Sequence, residues 1–323
     1  MTPRVVPRRI FFTLRCLAIM AALTTEPALC DCKKPVRTHV SSDGQKYEYH
    51  PCKKQWVVLA TELSPGGENA AATKVLSLPG RLFNFNFSSG EFKINDLPLR
   101  ISAPGSFRNA EDQEDADTGL TIWDGSVLLA KYLEHLSRSP NGNSLKGSRV
   151  VELGSGVGLV GISCGALGAN VFLTDLPYCI PTLEKNIQRT IAQTEWGEAQ
   201  AKDGLADAQT IPGSMAAAPL DWTDFANNTV LTTKIDWVVG ADIVWLEPLI
   251  PPLVRLLHAI AVQNKGCKFL IAYQSRSKRA DEILYDELRA KSFHVGTVDR
   301  ERMPEGYRTD RLDILELKHD PSR

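Results

Sequence analysis

The sequence predicts an open, mostly parallel α/β sheet covered by helices on both faces, carried by the chain beyond Thr118. Three observations support this. Apolar runs that read as strands alternate with amphipathic runs that read as helices, the pattern of repeated βαβ units. One strand, Val150-Val151-Glu152-Leu153, empties into the turn Gly154-Ser155-Gly156-Val157-Gly158, where backbone lacking Cβ atoms can approach a ligand closely. The last two apolar runs are joined by only Arg300–Arg311, too short for a crossover helix, so they are expected to pair antiparallel.

Taken in order, residues 1–35 read as a separate segment. Arg4, Arg8 and Arg9 precede an apolar run that is clear of charge only from Cys16 to Leu23. A secretory signal ending at Ala28-Leu29-Cys30, an Arg-rich mitochondrial presequence and a disordered extension are three readings of it. The run is too short to span a bilayer. The cytoplasm is the expected compartment, with the other two open if the segment is a targeting signal. Residues 36–110 form an N-terminal extension, with one strand expected at Gln55–Leu59 and a Gly/Ala-rich loop at 65–73. Phe83, Phe85, Phe87, the turn Ser88-Ser89-Gly90, then Phe92 and Ile94 predict a hairpin with one buried aromatic face. Five acids between Glu111 and Asp117 read as solvated loop.

The main domain is expected over 118–320. Helices are predicted at 124–136, 159–167, 177–193, 247–262 and 278–290, and strands at 149–153, 170–174, near 218–221, 236–240, 267–274, 294–299 and 312–317. The Gly-, Ala- and Asp-rich stretch 195–215 reads as a surface insertion. Hydrophobic residues make up 43% and charged residues 23% of the 323, with a formal charge of −1. That balance suits a globular protein and offers no general attraction to nucleic acid or anionic membrane. Cys164, Cys179 and Cys267 read as reduced thiols. Cys30, Cys32 and Cys52 beside His50 match zinc-ligand spacing poorly, and no metal is expected.

The glycine turn and Asp175, 21 residues beyond Gly154 at the end of the next strand, point to a bound nucleoside, since a carboxylate there can accept hydrogen bonds from ribose hydroxyls. The glycines alone fit two fingerprints. Gly156, Gly158 and Gly161 suit a dinucleotide, whereas Gly154, Gly156 and Gly158 suit the methyltransferase pattern. Three features favour the second. An antiparallel C-terminal pair is foreign to most dinucleotide folds. Leu220-Asp221-Trp222 can meet an adenine edge and face. Gly240-Ala241-Asp242-Ile243-Val244-Trp245 places an acid and an aromatic at the carboxyl edge of the sheet.

Thr118-Gly119-Leu120-Thr121-Ile122-Trp123-Asp124, the 151–161 block, Asp175, Leu220-Asp221-Trp222 and the 240–245 segment together resemble the lysine-methyltransferase-like branch of class I methyltransferases, methyltransferase family 16. The resemblance runs from about Phe83 to Leu317. It implies a Rossmann-like seven-stranded sheet preceded by a β-hairpin, and S-adenosyl-L-methionine as cofactor. It implies cofactor contacts from Trp123, Gly154, Ser155, Gly156, Asp175, Trp222 and Ala241. Asp242 and Trp245 fall on the catalytic acid-x-x-aromatic motif, where the family usually carries tyrosine last. An indole lacks the phenol oxygen but keeps a face for a cation. The implied activity is lysine methylation of a non-histone protein, such as a chaperone or translation factor. From the charge balance, the short apolar run and motifs that require no second subunit, a monomer without a nucleic-acid partner or a stable membrane span is expected.

Each residue also has a plainer reading. Trp123 suits a core helix, Trp222 a sheet edge, and Asp242 a helix cap. Tyr178 and Cys179 are candidates for either adenine contact or helix-start packing, and Arg276, after Tyr273-Gln274-Ser275, faces either the substrate or the solvent. A histidine, arginine or small-amine acceptor, and a non-catalytic cofactor-binding module, are the rival functions; an NAD-dependent oxidoreductase ranks third, for want of a Ser/Tyr/Lys or His catalytic set in the right places.

Overall fold

The computed structural model describes residues 37–40, 46–50, 55–59, 82–103, 118–138, 144–193 and 213–322. The expectations for the segment before residue 37, the 65–73 loop, the acidic stretch, residues 195–212 and the three N-terminal cysteines lie outside these residues. The chain divides into two units, Met1–Lys74 and Val75–Arg323.

In the first unit, β1 (Arg37–Val40), β2 (Lys46–His50) and β3 (Gln55–Leu59) form a three-stranded antiparallel sheet. Arg37 lies opposite Tyr49, and Tyr47 opposite Val58. β3 coincides with the strand expected there. Charged residues such as Arg37, Lys46 and Glu48 break any apolar run that would have announced β1 and β2.

The second unit opens with a smaller hairpin than the phenylalanine pattern predicted. β4 (Lys93–Ile94) pairs with β5 (Leu97–Pro98). They turn through Asn95 and Asp96, both at positive φ (47° and 64°), the conformation of a tight hairpin turn that Asn and Asp tolerate. Phe83–Phe87 joins no ladder. Its alternation instead reflects packing: Phe87 and Phe92 are buried, and Phe85 meets both at centroid separations of 5.8 and 5.3 Å. Aromatic burial, rather than strand pairing, sets the period of two there.

The seven-stranded sheet follows. β6 (Arg149–Leu153), β7 (Asn170–Asp175), β8 (Met215–Pro219), β9 (Trp237–Ala241) and β10 (Lys268–Tyr273) run parallel. β11 (Phe293–Thr297) and β12 (Asp313–His319) are antiparallel, as the short connection predicted. The spatial order is β11-β12-β10-β9-β6-β7-β8. The helices are α1 (Asp124–Arg138), α2 (Leu159–Ala166), α3 (Ile180–Gln193), α4 (Ile250–Gln263) and α5 (Lys278–Ala290).

Strand alternation divides the core in two. Val150, Trp237, Val239, Leu270 and Ala272 face a cluster with α1, α2 and α3, including Leu129, Ile162 and Leu183. Val151, Leu153, Val238, Phe269 and Ile271 face the opposite cluster with Leu253 and Leu257 of α4 and Leu284 and Leu288 of α5. Successive side chains of a strand point to opposite faces, so both faces need helices and the strands read as apolar throughout.

Three predicted starts move by three residues each, and the other bounds of the main domain's helices and strands by two or fewer. α3 begins at Ile180, not Pro177, because Asp175 Oδ1 takes the Leu176 N–H (2.7 Å) and Cys179 N–H turns back onto the Leu176 carbonyl (2.9 Å). The helix expected from Glu247 starts as a 3-10 turn, Glu247–Leu249, with α4 proper from Ile250. Pro251 and Pro252 suit a first turn, where their missing N–H groups cost nothing. The strand expected near 218–221 lies at Met215–Pro219. No helix among the described residues is long and apolar enough to cross a membrane.

Candidate functional site

The chain leaves β6 to build β7 and β8 on one side, then returns beside β6 to build β9 and β10 on the other. The carboxyl ends of β6 and β9 are therefore the switch point, where open α/β sheets bind ligands. Gly154 and Gly156 turn there at φ +61° and +56°. A Cβ added at Gly154 would lie 2.7 Å from Ile243 Cγ2 and 3.3 Å from Trp222 Cζ2, and one at Gly156 would lie 3.0 Å from the Gly119 carbonyl oxygen. The loop is thus a cradle that side chains would fill. Gly158 and Gly161 have another reason to be glycine. A Cβ at either would sit 2.9 Å or less from Leu173 side-chain atoms, so they let α2 pack on the sheet.

Asp175 ends β7 with its carboxylate toward the cradle: Oδ2 accepts the Gly156 N–H at 2.7 Å. Ser155 donates its N–H to the Thr174 carbonyl (2.9 Å), and its hydroxyl points inward to the Glu152 carbonyl (3.4 Å). Ser155 therefore lends the cradle its backbone, with the hydroxyl turned away. Trp222 is set by a local turn in which Asp221 Oδ1 accepts both the N–H (2.8 Å) and the hydroxyl (2.7 Å) of Thr223. Tyr178, 42% exposed, and buried Cys179 pack against Gly119 in the Thr118–Leu120 turn.

On the other side of the switch point, Ala241 ends β9 beside Ala272. Asp242 follows at φ +53°, its N–H bonded to the Ala272 carbonyl (3.0 Å). Its carboxylate is only 3% exposed. Oδ2 accepts the Gly125 N–H at the start of α1 (2.9 Å), and Oδ1 meets Arg276 Nη2 at 3.2 Å. Burial pushes this carboxyl above the usual range, while Arg276 and the Gly125 N–H draw it back. Arg276 also lies over Trp123, with Cζ 5.1 Å from the ring centroid. Trp123 is thereby brought to Asp242 through the guanidinium. Trp245 is half-buried in the segment between β9 and the Glu247–Leu249 turn.

The region from about residue 105 to residue 289 carries all of these groups, and over residues 105–289 the sequence matches the family described as lysine methyltransferase. The chain belongs to that lysine methyltransferase family. Its similarity extends to protein N-lysine methyltransferase METTL21A of Danio rerio, 30% identical over 206 residues that span 63% of this chain and 78% of that protein. Protein-lysine N-methyltransferase EFM6 of Saccharomyces cerevisiae is 30% identical over 227 residues, spanning 64% and 83%. EEF1A lysine methyltransferase 3 of Mus musculus is 29% identical over 181 residues, spanning 56% and 66%. This lysine methyltransferase uses S-adenosylmethionine, and the side-chain-free cradle at Gly154 and Gly156 with Asp175 beside it fits a nucleoside cofactor.

Two residues around this methyltransferase site have partners that the sequence does not show. Glu152 is buried, its Oε2 accepting the Gly161 N–H at 3.0 Å. Its signal was a lone acid inside an apolar strand. Arg276 pairs with a carboxylate 34 positions away, and nothing local announces such a partner.

Proposed function

We propose that the chain transfers a methyl group to a lysine side chain of a non-histone protein, through a domain spanning 118–320. In this reading Asp175 accepts hydrogen bonds from the ribose hydroxyls, Trp222 covers the adenine, and Gly154, Ser155, Gly156 and Ala241 offer backbone. Trp123 lines the cofactor. S-adenosylmethionine supplies a methyl on a sulfonium, open to in-line displacement by an amine. The protein's share is to hold the amine in line and to take part in its deprotonation. Asp242 suits the task as a fixed acceptor: Gly125 and Arg276 hold its two oxygens, and each carboxylate oxygen retains a second lone pair. Trp245 walls the lysine channel with an indole face.

The observation that carries this reading is the convergence of the glycine cradle, Asp175, Trp222 and Asp242 at the switch point between β6 and β9. For the acceptor, the mouse relative is named for EEF1A, which supports a translation factor, with a chaperone as the other expected class. The reading further takes the enzyme as a cytoplasmic monomer without a nucleic-acid partner.

Purified protein, radiolabelled S-adenosylmethionine and a cell lysate test it together. A discrete labelled protein band whose digest yields methyl-lysine is expected. Measurable cofactor binding with no labelled product would favour a non-catalytic module, and methyl-histidine or methyl-arginine would move the acceptor. Asp242→Asn should leave cofactor affinity largely intact and reduce transfer by orders of magnitude. Surviving transfer would leave Asp242 a structural part.

A further inference from the structure

The Arg276–Asp242 pair lies beneath the surface, with side chains 13% and 3% exposed. Such pairs add little net stability, because desolvation offsets attraction, so its place beside the cofactor cleft calls for another account. The arginine is built into position. Its loop follows β10 and is fastened to Asp281 in the first turn of α5: the Tyr273 hydroxyl and the Ser275 Oγ (2.6 Å) both donate to that carboxylate. Ser277 then caps α5 by accepting the Ala280 N–H at 3.4 Å. Within the same first turn, Arg279 Nε reaches Glu247 Oε2 at 3.1 Å, tying the same loop region to the turn that follows Trp245. From this frame the Arg276 guanidinium joins Asp242, after β9, to Trp123, before α1.

We infer that Arg276 is a positioning residue for methyl transfer: by bridging Asp242 and Trp123 it fixes the acceptor-side acid and the cofactor-lining indole relative to each other. This rests on placing Asp242 and Trp123 in the site, as proposed above. The groups facing Asp242 are Arg276 from the β10–α5 loop, the Gly125 N–H and the Asp124 carboxylate from α1. Burial and Asp124 both disfavour the charged form, and Arg276 is the cation that opposes them. Without Arg276, Asp242 takes a proton at higher pH and Trp123 loses its stacked plane. Lysine would return the charge without the plane or the fork of donors.

The test uses the full chain with Arg276→Gln and Arg276→Lys. Affinity for S-adenosylmethionine is read by calorimetry, and kcat against pH by methyl incorporation. R276Q is expected to bind cofactor about tenfold more weakly, the scale of a desolvated cation–π contact, and to lose activity at a higher pH on the acid side. R276K is expected to restore the acid limb and leave the affinity low. A folded R276Q with native affinity and an unmoved acid limb overturns the inference. Should R276Q fail to fold, R276K decides, and native affinity in R276K overturns it. Asp175→Ala is the control: native cofactor affinity in that variant would sink the site assignment itself, separately from the role of Arg276.

Discussion

Glu152 is a carboxyl with no route to water, and its titration should be visible in the stability of the whole fold. It shares its face of β6 with Val150 and meets the start of α2, where it accepts the Gly161 N–H. Burial pushes its carboxyl from 4.5 up to about 8, and the Asp175 charge adds to the push. A carboxyl whose folded value is raised gives stability that is complete below its unfolded value and lost as pH rises through the folded one. Between about pH 4.5 and 8, stability should fall by up to about 1.4 kcal/mol per pH unit from this group. Glu152→Gln keeps an acceptor for Gly161 and has no proton to lose. Urea midpoints measured from pH 5 to 8 should decline in the native chain and decline less in the variant. Parallel curves would show that Glu152 does not titrate in that window. A second residue-scale test concerns Gly154. Alanine there must hold φ +61° and place its Cβ 2.7 Å from Ile243. The backbone alone costs about 1–2 kcal/mol, and displacing Ile243 moves the residue next to Asp242. Gly154→Ala should therefore lower both melting temperature and cofactor affinity, and native values for both would mean the cradle is not tight. At this scale the sequence disclosed the groups whose neighbours are local. Gly154, Asp175 and Trp222 each end a strand or turn that can be read directly. The partner of Arg276 could not be found this way, because Asp242 is brought to it by the β9–β10 pairing.

At the scale of elements, local signals were sufficient where a cap or a short connection fixes the geometry. Ser277 caps α5, and the predicted span 278–290 is the observed one. The connection between β11 and β12 holds only two 3-10 turns, Arg300–Arg302 and Glu305–Tyr307, and the pairing is antiparallel. Where tertiary packing decides, the sequence misled. The phenylalanines at 83, 85 and 87 have the period of a strand but pack as a cluster, and backbone hydrogen bonds elsewhere hold the segment. One of these makes a test. Asp124, the first residue of α1, accepts the N–H of Leu82 at 2.9 Å and of Phe83 at 3.3 Å, while the next residue, Gly125, gives its N–H to Asp242. The start of α1 thus fastens the aromatic segment on one side and the switch-point acid on the other. Asp124→Ala leaves two partly buried amides without their acceptor, at about 1–3 kcal/mol. A lower melting temperature and faster hydrogen exchange at Leu82 and Phe83 are expected. Native protection at both amides would show that aromatic packing alone holds the segment.

For the whole molecule, the division at Lys74 and Val75 puts a small antiparallel sheet in one unit and every group of the switch-point site in the other. Both core clusters draw their residues from Leu82 onward. So do the cradle, Asp175, Trp222, Asp242 and Arg276, and the family match begins only at residue 105. A sheet of seven strands with helices on both faces buries enough apolar surface to fold as an independent domain. The physical expectation is that a chain beginning at Val75 retains the aromatic segment that Asp124 fastens, melts cooperatively and binds S-adenosylmethionine with the affinity of the full chain. Calorimetry on both lengths provides the comparison. If cofactor affinity holds but methylation of the protein acceptor falls, residues 1–74 contribute to choosing the substrate. A drop of more than about tenfold in cofactor affinity, or roughly 1.4 kcal/mol, would instead mean that the first unit completes the cofactor site, against the placement of every group found at the switch point.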